Sequence, residues 1–282
     1  MFQRRTGLNA QAVTIEFADV ITTPPAAVGT GKSSRPTVRG VPATVVTGSS
    51  RGIGKAIALR FADDGYDVAV NYRSSEDAAE RVADEIRDRG QEAIVVGADV
   101  SDSDAAARLV DAAADAFGGI DHVVNNAGID QHVRTEDLEP DDFDRIMDVN
   151  VNSAFNVTKA ALPYLRESAD EPSVTKVSSI LAHTGAAIEC HYASSKGALL
   201  SLTRSHASDF APEIRVNAVA PGHVETDMTS DRTPDEKREE LAAIPVDRYG
   251  RPEDIAEAVA YLRDATFVTG ETLNVNGGER MG

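Results

Sequence analysis

Tyr192 and Lys196 stand four residues apart in the stretch Tyr192-Ala193-Ser194-Ser195-Lys196. On a helix that spacing puts both side chains on one face. An ammonium beside a phenol favours the phenolate, so a group with an ordinary pKa of about 10 moves toward exchanging protons at neutral pH. The pair alone is ambiguous, because a packed phenol beside a solvated amine has the same spacing. A second stretch, Thr47-Gly48-Ser49-Ser50-Arg51-Gly52-Ile53-Gly54, suits another task. Its glycines permit a tight turn and close approach of backbone to a ligand. If a helix follows, its free N–H groups and positive dipole end face a pyrophosphate.

The elements that must position these residues are legible as an alternation. Short apolar runs predict strands over Ala43–Thr47, Asp67–Tyr72, Ala93–Gly97, Ile120–Asn125, Val174–Ser178, Ile214–Ala220 and Thr272–Val275. Between them, amphipathic spacing predicts helices over Ile53–Asp64, Glu76–Arg89, Ser103–Phe117, a long one from Pro140 to about Arg166, Cys190–Phe210 and Pro252–Arg263. Strands alternating with helices require right-handed crossovers and a parallel sheet covered on both faces. The expected fold is therefore α/β, a Rossmann-type doubly wound parallel sheet in a single domain. The glycine turn then joins the first strand to the first helix, the context that makes it a dinucleotide site.

Residues 1–40 read differently. Thr22 to Ala27 and Gly29 to Pro36 are rich in helix and strand breakers and lack periodicity, and Val13 to Val20 has nothing nearby to pack on. This stretch reads as a flexible extension or as the product of an upstream start codon, with the folded domain over 41–282. It lacks the apolar core of a signal peptide, and no run approaches the ~18 apolar residues of a membrane span. One cysteine, Cys190, excludes an intrachain disulfide and fits a reducing, cytoplasmic setting.

The chain carries 46 acidic and 28 basic residues, a net charge of -18. That balance argues against nucleic acid as a partner. Lysine is scarce beside arginine, with only six, and carboxylates such as Asp102, Asp104, Asp111 and Asp115 fall on predicted helix surfaces. This is the composition of a surface adapted to a salt-loaded cytoplasm, where salt screens self-repulsion. A high-GC genome produces the same exchange of lysine for arginine.

Taken in order, the Thr47–Gly54 turn, Asn125-Asn126-Ala127-Gly128, Asn150, Ser179, Tyr192 with Lys196, and Pro221-Gly222 closely resemble the short-chain dehydrogenase/reductase family. Within it, they resemble the 3-oxoacyl-[acyl-carrier-protein] reductase-like group. Ser179 lies thirteen residues before Tyr192, and the resemblance spans about 41–282.

The resemblance implies an oxidoreductase that reduces a ketone to a secondary alcohol, reversibly, with a nicotinamide cofactor. It implies that Tyr192 gives its proton to the carbonyl oxygen and that Lys196 lowers the phenol pKa and holds the nicotinamide ribose. Ser179 polarises the substrate oxygen, and Asn150 holds a water linking Lys196 to solvent. Gly48, Ser50, Arg51, Gly52, Ile53 and Gly54 would contact the cofactor, as would Asp99, Val100, Asn126, Ala127, Gly128, Pro221, Gly222, Val224 and Thr226. Where NAD-binding members carry a carboxylate, this chain has Asn71-Tyr72-Arg73-Ser74. Arg73, helped by Arg51, is placed to neutralise a 2′-phosphate, so NADP(H) is expected, with NAD(H) open.

The small-molecule substrate implied is a 3-oxoacyl thioester or similar carbonyl. A sugar, polyol or cyclic alcohol is the enzymatic alternative, and a dinucleotide sensor without turnover the other. Residues 223–245 match the family's substrate-covering segment. The family's usual tetramer, or a dimer, would form through apolar faces such as Ala154, Val157, Ala161 and Leu165, or Ala198, Leu199 and Leu202; those faces equally suit covering the sheet. His183, Cys190 and His191 fit no common zinc spacing and read as pocket-lining or loop residues. The chain departs from the family at Lys176, where an asparagine is usual, and at Pro212-Glu213-Ile214, one residue short.

Overall fold

The structure, a computed structural model, describes residues 40–226 and 233–281. They fall in one compact unit. The expected extension over 1–40, apart from its last residue, and residues 227–232 of the substrate-covering segment lie outside the described residues.

The first half runs β1 (Ala43–Val46), α1 (Gly52–Asp63), β2 (Asp67–Tyr72), α2 (Glu76–Arg87), β3 (Ala93–Gly97), α3 (Ser103–Phe117) and β4 (His122–Asn125). The second half runs α4 (Pro140–Met147), α5 (Ser153–Glu167), β5 (Ser173–Val177), α6 (Leu181–Thr184), α7 (Cys190–Phe210), β6 (Arg215–Pro221), α8 (Pro234–Ala242), α9 (Pro252–Asp264) and β7 (Thr272–Val275). The strands form one parallel sheet in the order β3-β2-β1-β4-β5-β6-β7. Strand order reverses between β1 and β4, so a crevice opens beyond their carboxyl ends.

Alternate strand residues feed two cores. Val46, Val70, Val124, Val177 and Val219 pack with α1, α2 and α9, while Val45, Val123, Val174 and Val216 pack with α3, α5 and α7. Helix ends follow local chemistry. Asp102 caps α3 by accepting from Ala105 N at 2.7 Å, and Gly118 ends it at φ 78°. Thr233 and Glu236 form a reciprocal capping box on α8.

The structure corrects one expectation and adds two short helices. The long helix after Pro140 is broken by a π segment over 148–152, centred on Asn150. Nothing in the composition marks that turn, whose register depends on what Asn150 bonds. Helices α6 and α8 are shorter than the window in which periodicity is informative. Of the faces offered for assembly, Val157, Ala161 and Leu165 are fully buried, Ala154 and Leu199 nearly so, and Ala198 and Leu202 are half-buried. No helix among the described residues is long and apolar enough to cross a membrane.

Candidate active site

The glycine turn is closed from below by neighbouring segments. Thr47 Oγ1 accepts hydrogen bonds from Asn126 N and Ala127 N, both at 2.9 Å. Asn126 Nδ2 donates to Thr47 O at 2.9 Å and to Gly48 O at 3.2 Å. Gly48 N donates to Asn71 Oδ1 at 3.1 Å, and Asn71 Nδ2 donates to Val96 O and Ala98 O, each at 3.2 Å. Gly48 and Gly52 take φ of 62° and 54°, which glycine adopts at no steric cost. A Cβ on Gly54 would lie 2.5 Å from Asn126 Nδ2, so only glycine lets α1 start this close to the β4 loop.

These contacts leave a cleft of about 730 Å³ along the carboxyl ends of the strands. Of the expected cofactor residues, Gly48, Ser50, Arg51, Gly52, Ile53, Gly54, Arg73, Asp99, Val100, Asn126, Ala127, Gly128, Pro221, Gly222, Val224 and Thr226 all line it. Tyr192, Lys196 and Ser179 line it as well. The residue before α1, Arg51, is extended and makes no side-chain cap, and no acidic residue occupies the first turn. The start of α1 is thus open to an anion. Arg73 Nη1 lies 3.8 Å from Asp99 Oδ2, with both side chains about half exposed.

Asn150 stands behind the cleft wall, buried. Its amide accepts from Ile129 N at 2.8 Å and donates to Ile129 O at 3.0 Å and to Ser195 Oγ at 2.9 Å. Ser195 Oγ donates onward to Tyr192 O at 2.7 Å. A Cβ on Gly128 would sit 3.2 Å from Asn150 Oδ1 and 3.4 Å from Lys196 Nζ, so all three converge on one spot. Lys196 Nζ donates to Val177 O at 2.9 Å, and Ser178 Oγ holds Lys196 O at 2.8 Å.

Burial pushes the Tyr192 phenol well above its ordinary value, the charges of Asp130 and Glu189 push the same way, and the Ser179 hydroxyl opposes them. Burial draws Lys196 down to about 8, with Asp130 pulling it back up. Lys196 Nζ sits 5.5 Å from the Tyr192 ring centre, and its bond to Val177 O uses one of the three donors of the ammonium.

His183, Cys190 and His191 do not line the cleft. His191 is fully buried, its Nε2 3.3 Å from Gln131 Oε1. What sequence reasoning missed are Thr47 and Asn71, which lock the turn, and a cluster beside Tyr192. There His132 Nε2 lies 3.2 Å from Asp130 Oδ2 and 3.0 Å from Glu189 Oε1. Asn71 at a strand end was a usable signal, since a buried amide there has backbone to bind. Asp130 and Glu189 carried none, because only the fold brings their loops together.

A family model described as Enoyl-(Acyl carrier protein) reductase matches residues 48–279. The 3-oxoacyl-[acyl-carrier-protein] reductase FabG of Staphylococcus aureus is 37% identical over 240 residues, covering 84% of this chain and 97% of that protein. Glucose 1-dehydrogenase 2 of Bacillus subtilis is 38% identical over 239 residues, covering 83% and 93%. The crystal structure of a short chain dehydrogenase from Burkholderia cenocepacia in complex with NADP matches with a TM-score of 0.80 at 36% identity, covering 84% of this chain and 97% of that one. With a glycine cradle suited to a pyrophosphate and a phenol, a serine and an amine in the adjoining cleft, the chain belongs to the short-chain dehydrogenase/reductase family and is an oxidoreductase that works with a nicotinamide dinucleotide.

Proposed function

We propose that the protein reduces a ketone to a secondary alcohol with NADPH, reversibly, the substrate being a 3-oxoacyl thioester or a carbonyl compound of similar build. One observation carries the reading: Tyr192 and Ser179 line the cleft that also takes in Lys196 and the glycine turn. The dinucleotide supplies the hydride that reaches the carbonyl carbon. Ser179 donates to the substrate oxygen, and Tyr192 delivers its proton to that same oxygen as negative charge develops there. A phenol pushed up by burial stays protonated across the neutral range, the state a donor needs. Lys196 holds the ribose, and Asn150 carries the water link from Lys196 to solvent while fixing the Ile129 backbone.

Arg73, with Arg51, neutralises the 2′-phosphate. In support, both line the cleft, the stretch Asn71-Tyr72-Arg73-Ser74 at the end of β2 holds no carboxylate, and a similar protein was solved with NADP. The similarity to a glucose 1-dehydrogenase, with the carboxylates of Asp130 and Glu189 at the cleft, favours a second reading: a sugar or polyol substrate in the same chemistry. Oxidation of NADPH and of NADH with a ketone tests the cofactor assignment. Arg73→Glu should cost at least tenfold more in kcat/KM for NADPH than for NADH, and equal losses would remove the phosphate role.

A further inference from the structure

Three side chains that the ketone reduction above does not use meet where two loops cross. Asp130 and His132 lie on the loop after β4, and Glu189 on the loop before α7. Their donor atoms all fall within 4.8 Å of one another. His132 Nε2 is at the centre, 3.2 Å from Asp130 Oδ2 and 3.0 Å from Glu189 Oε1. Hydrogen bonding accounts for only part of this. A ring nitrogen carries at most one hydrogen, so it cannot serve both oxygens with straight bonds. The two carboxylates are also largely withdrawn from water, their side chains 12% and 13% exposed. Buried charges are paired or hold a metal ion, and like charges gathered in one site repel unless a cation lies between them.

The spacing is that of ligands on one ion. Zinc takes an imidazole nitrogen at about 2.0–2.1 Å and a carboxylate oxygen at about 2.0–2.2 Å. Two such donors stand about 3.0 Å apart at a right angle and about 3.4 Å apart at the tetrahedral angle. The observed 3.0 and 3.2 Å fall in that range. The side chains are also held from behind, which orients metal ligands. Asp130 Oδ1 accepts from Gln131 N at 2.7 Å, leaving Oδ2 to the cluster. Gln131, between two of the three residues, has Oε1 3.3 Å from His191 Nε2 and donates through Nε2 to Asp142 Oδ2 at 3.3 Å. Val133 N donates to Ile188 O at 2.7 Å, which ties the backbone next to His132 to the backbone next to Glu189.

We propose that Asp130, His132 and Glu189 form a binding site for one divalent cation of the zinc class. The cation pins the loop after β4 to the loop before α7 along the cleft wall, which Asp130 and Glu189 line. One imidazole with two carboxylates suits zinc, cobalt or manganese, whereas magnesium and calcium prefer oxygen donors alone. Three protein ligands leave at least one position for water. The site is independent of the cofactor and of the reaction assigned above, and binding alone decides it.

Calorimetric titration of zinc into the untagged full chain, stripped with a chelator, tests it. Molar potassium nitrate screens the acidic surface during the titration. The wild type should bind one equivalent with a micromolar or tighter dissociation constant. His132→Ala and Glu189→Gln should each weaken it at least about 100-fold, since loss of a residue that only supports a ligand already costs about 10–100-fold. Asp104→Asn, which removes an exposed carboxylate of α3, should leave it unchanged. Zinc should raise the thermal midpoint of the wild type and not of the two site variants, because the unfolded chain lacks the cluster. Glu189→Gln keeps the shape of the side chain, and its cooperative melting without zinc separates lost binding from lost folding. Cobalt in place of zinc should absorb visible light more strongly than the hydrated ion, and that absorption should vanish in both variants. No binding by the wild type, several weak equivalents, or equal affinity in wild type and site variants would overturn the proposal. One tight equivalent of zinc in a protein that turns over no ketone would leave the site standing and count against the reduction alone.

Discussion

In the proposed reaction Tyr192 has a proton to give, because its surroundings disfavour a phenolate. Burial and the charges of Asp130 and Glu189 raise the phenol, while the Ser179 hydroxyl works the other way. Removing the hydroxyl with Tyr192→Phe should lower kcat by about 10²–10⁴-fold with dinucleotide binding retained, measured by steady-state kinetics and fluorescence titration. Ser179→Ala should cost about 10²–10³-fold in kcat, the range for one lost donor to a developing oxyanion. Lys196 adds a pH dependence. Its folded pKa is drawn down to about 8, so it is an ammonium below that value and neutral above it. Since kcat/KM for the dinucleotide reports the free enzyme, it should fall as pH rises through about 8, and Lys196→Met should lack that limb. These three residues stood out in the sequence because of their types and their order along the chain. Their surroundings were not: nothing near Tyr192 in the chain marks Asp130 as its neighbour, and Lys196 bonding Val177 O depends on β5 lying beside α7.

Elements carry information that residue types hide. The alternation of strands and helices was readable because buried parallel strands are short apolar runs and covering helices are amphipathic. The π segment at Asn150 was not, since a π turn has no composition of its own; it recurs at functional sites, as here, where it turns an amide onto the Ile129 backbone. Lys176 shows the same limit. A lysine reads as exposed, yet in β5 it is fully buried and its Nζ has no hydrogen-bond partner among the described residues. Burial draws it down to about 7 from 10.5. Between those values the unfolded chain binds more protons than the folded one, so stability rises with pH across that window. Lys176→Met should therefore stabilise by on the order of 3 kcal/mol at pH 7 and by less at pH 9, read from urea midpoints. An equal gain at both would show that packing, not charge, sets the effect. His122 and His206, drawn by burial to about 3 and about 4, act in the same sense at lower pH: stability is lost as pH falls below about 6.5.

At the scale of the molecule, a net charge of -18 on 282 residues means self-repulsion that salt must screen. Activity and urea midpoint should both rise between low and molar KCl; flat curves would remove the salt-adapted reading of the surface. Along the cleft, Arg51, Arg73 and Asp99 follow β1, β2 and β3, while Asp130, Glu189, Lys196 and Glu240 lie past β4, β5 and β6. That division could not be read from the chain, because Arg73 and Glu189 are brought to one crevice only by the strand order that reverses at β1 and β4. The account as a whole stands on proton delivery by Tyr192 to a ketone in that crevice. Its most direct test is oxidation of NADPH by the purified protein with an acetoacetyl thioester in molar KCl, wild type beside Tyr192→Phe. The account predicts turnover that prefers NADPH to NADH and a loss of about 10²-fold or more in the variant. Near-normal turnover by a folded Tyr192→Phe would contradict it.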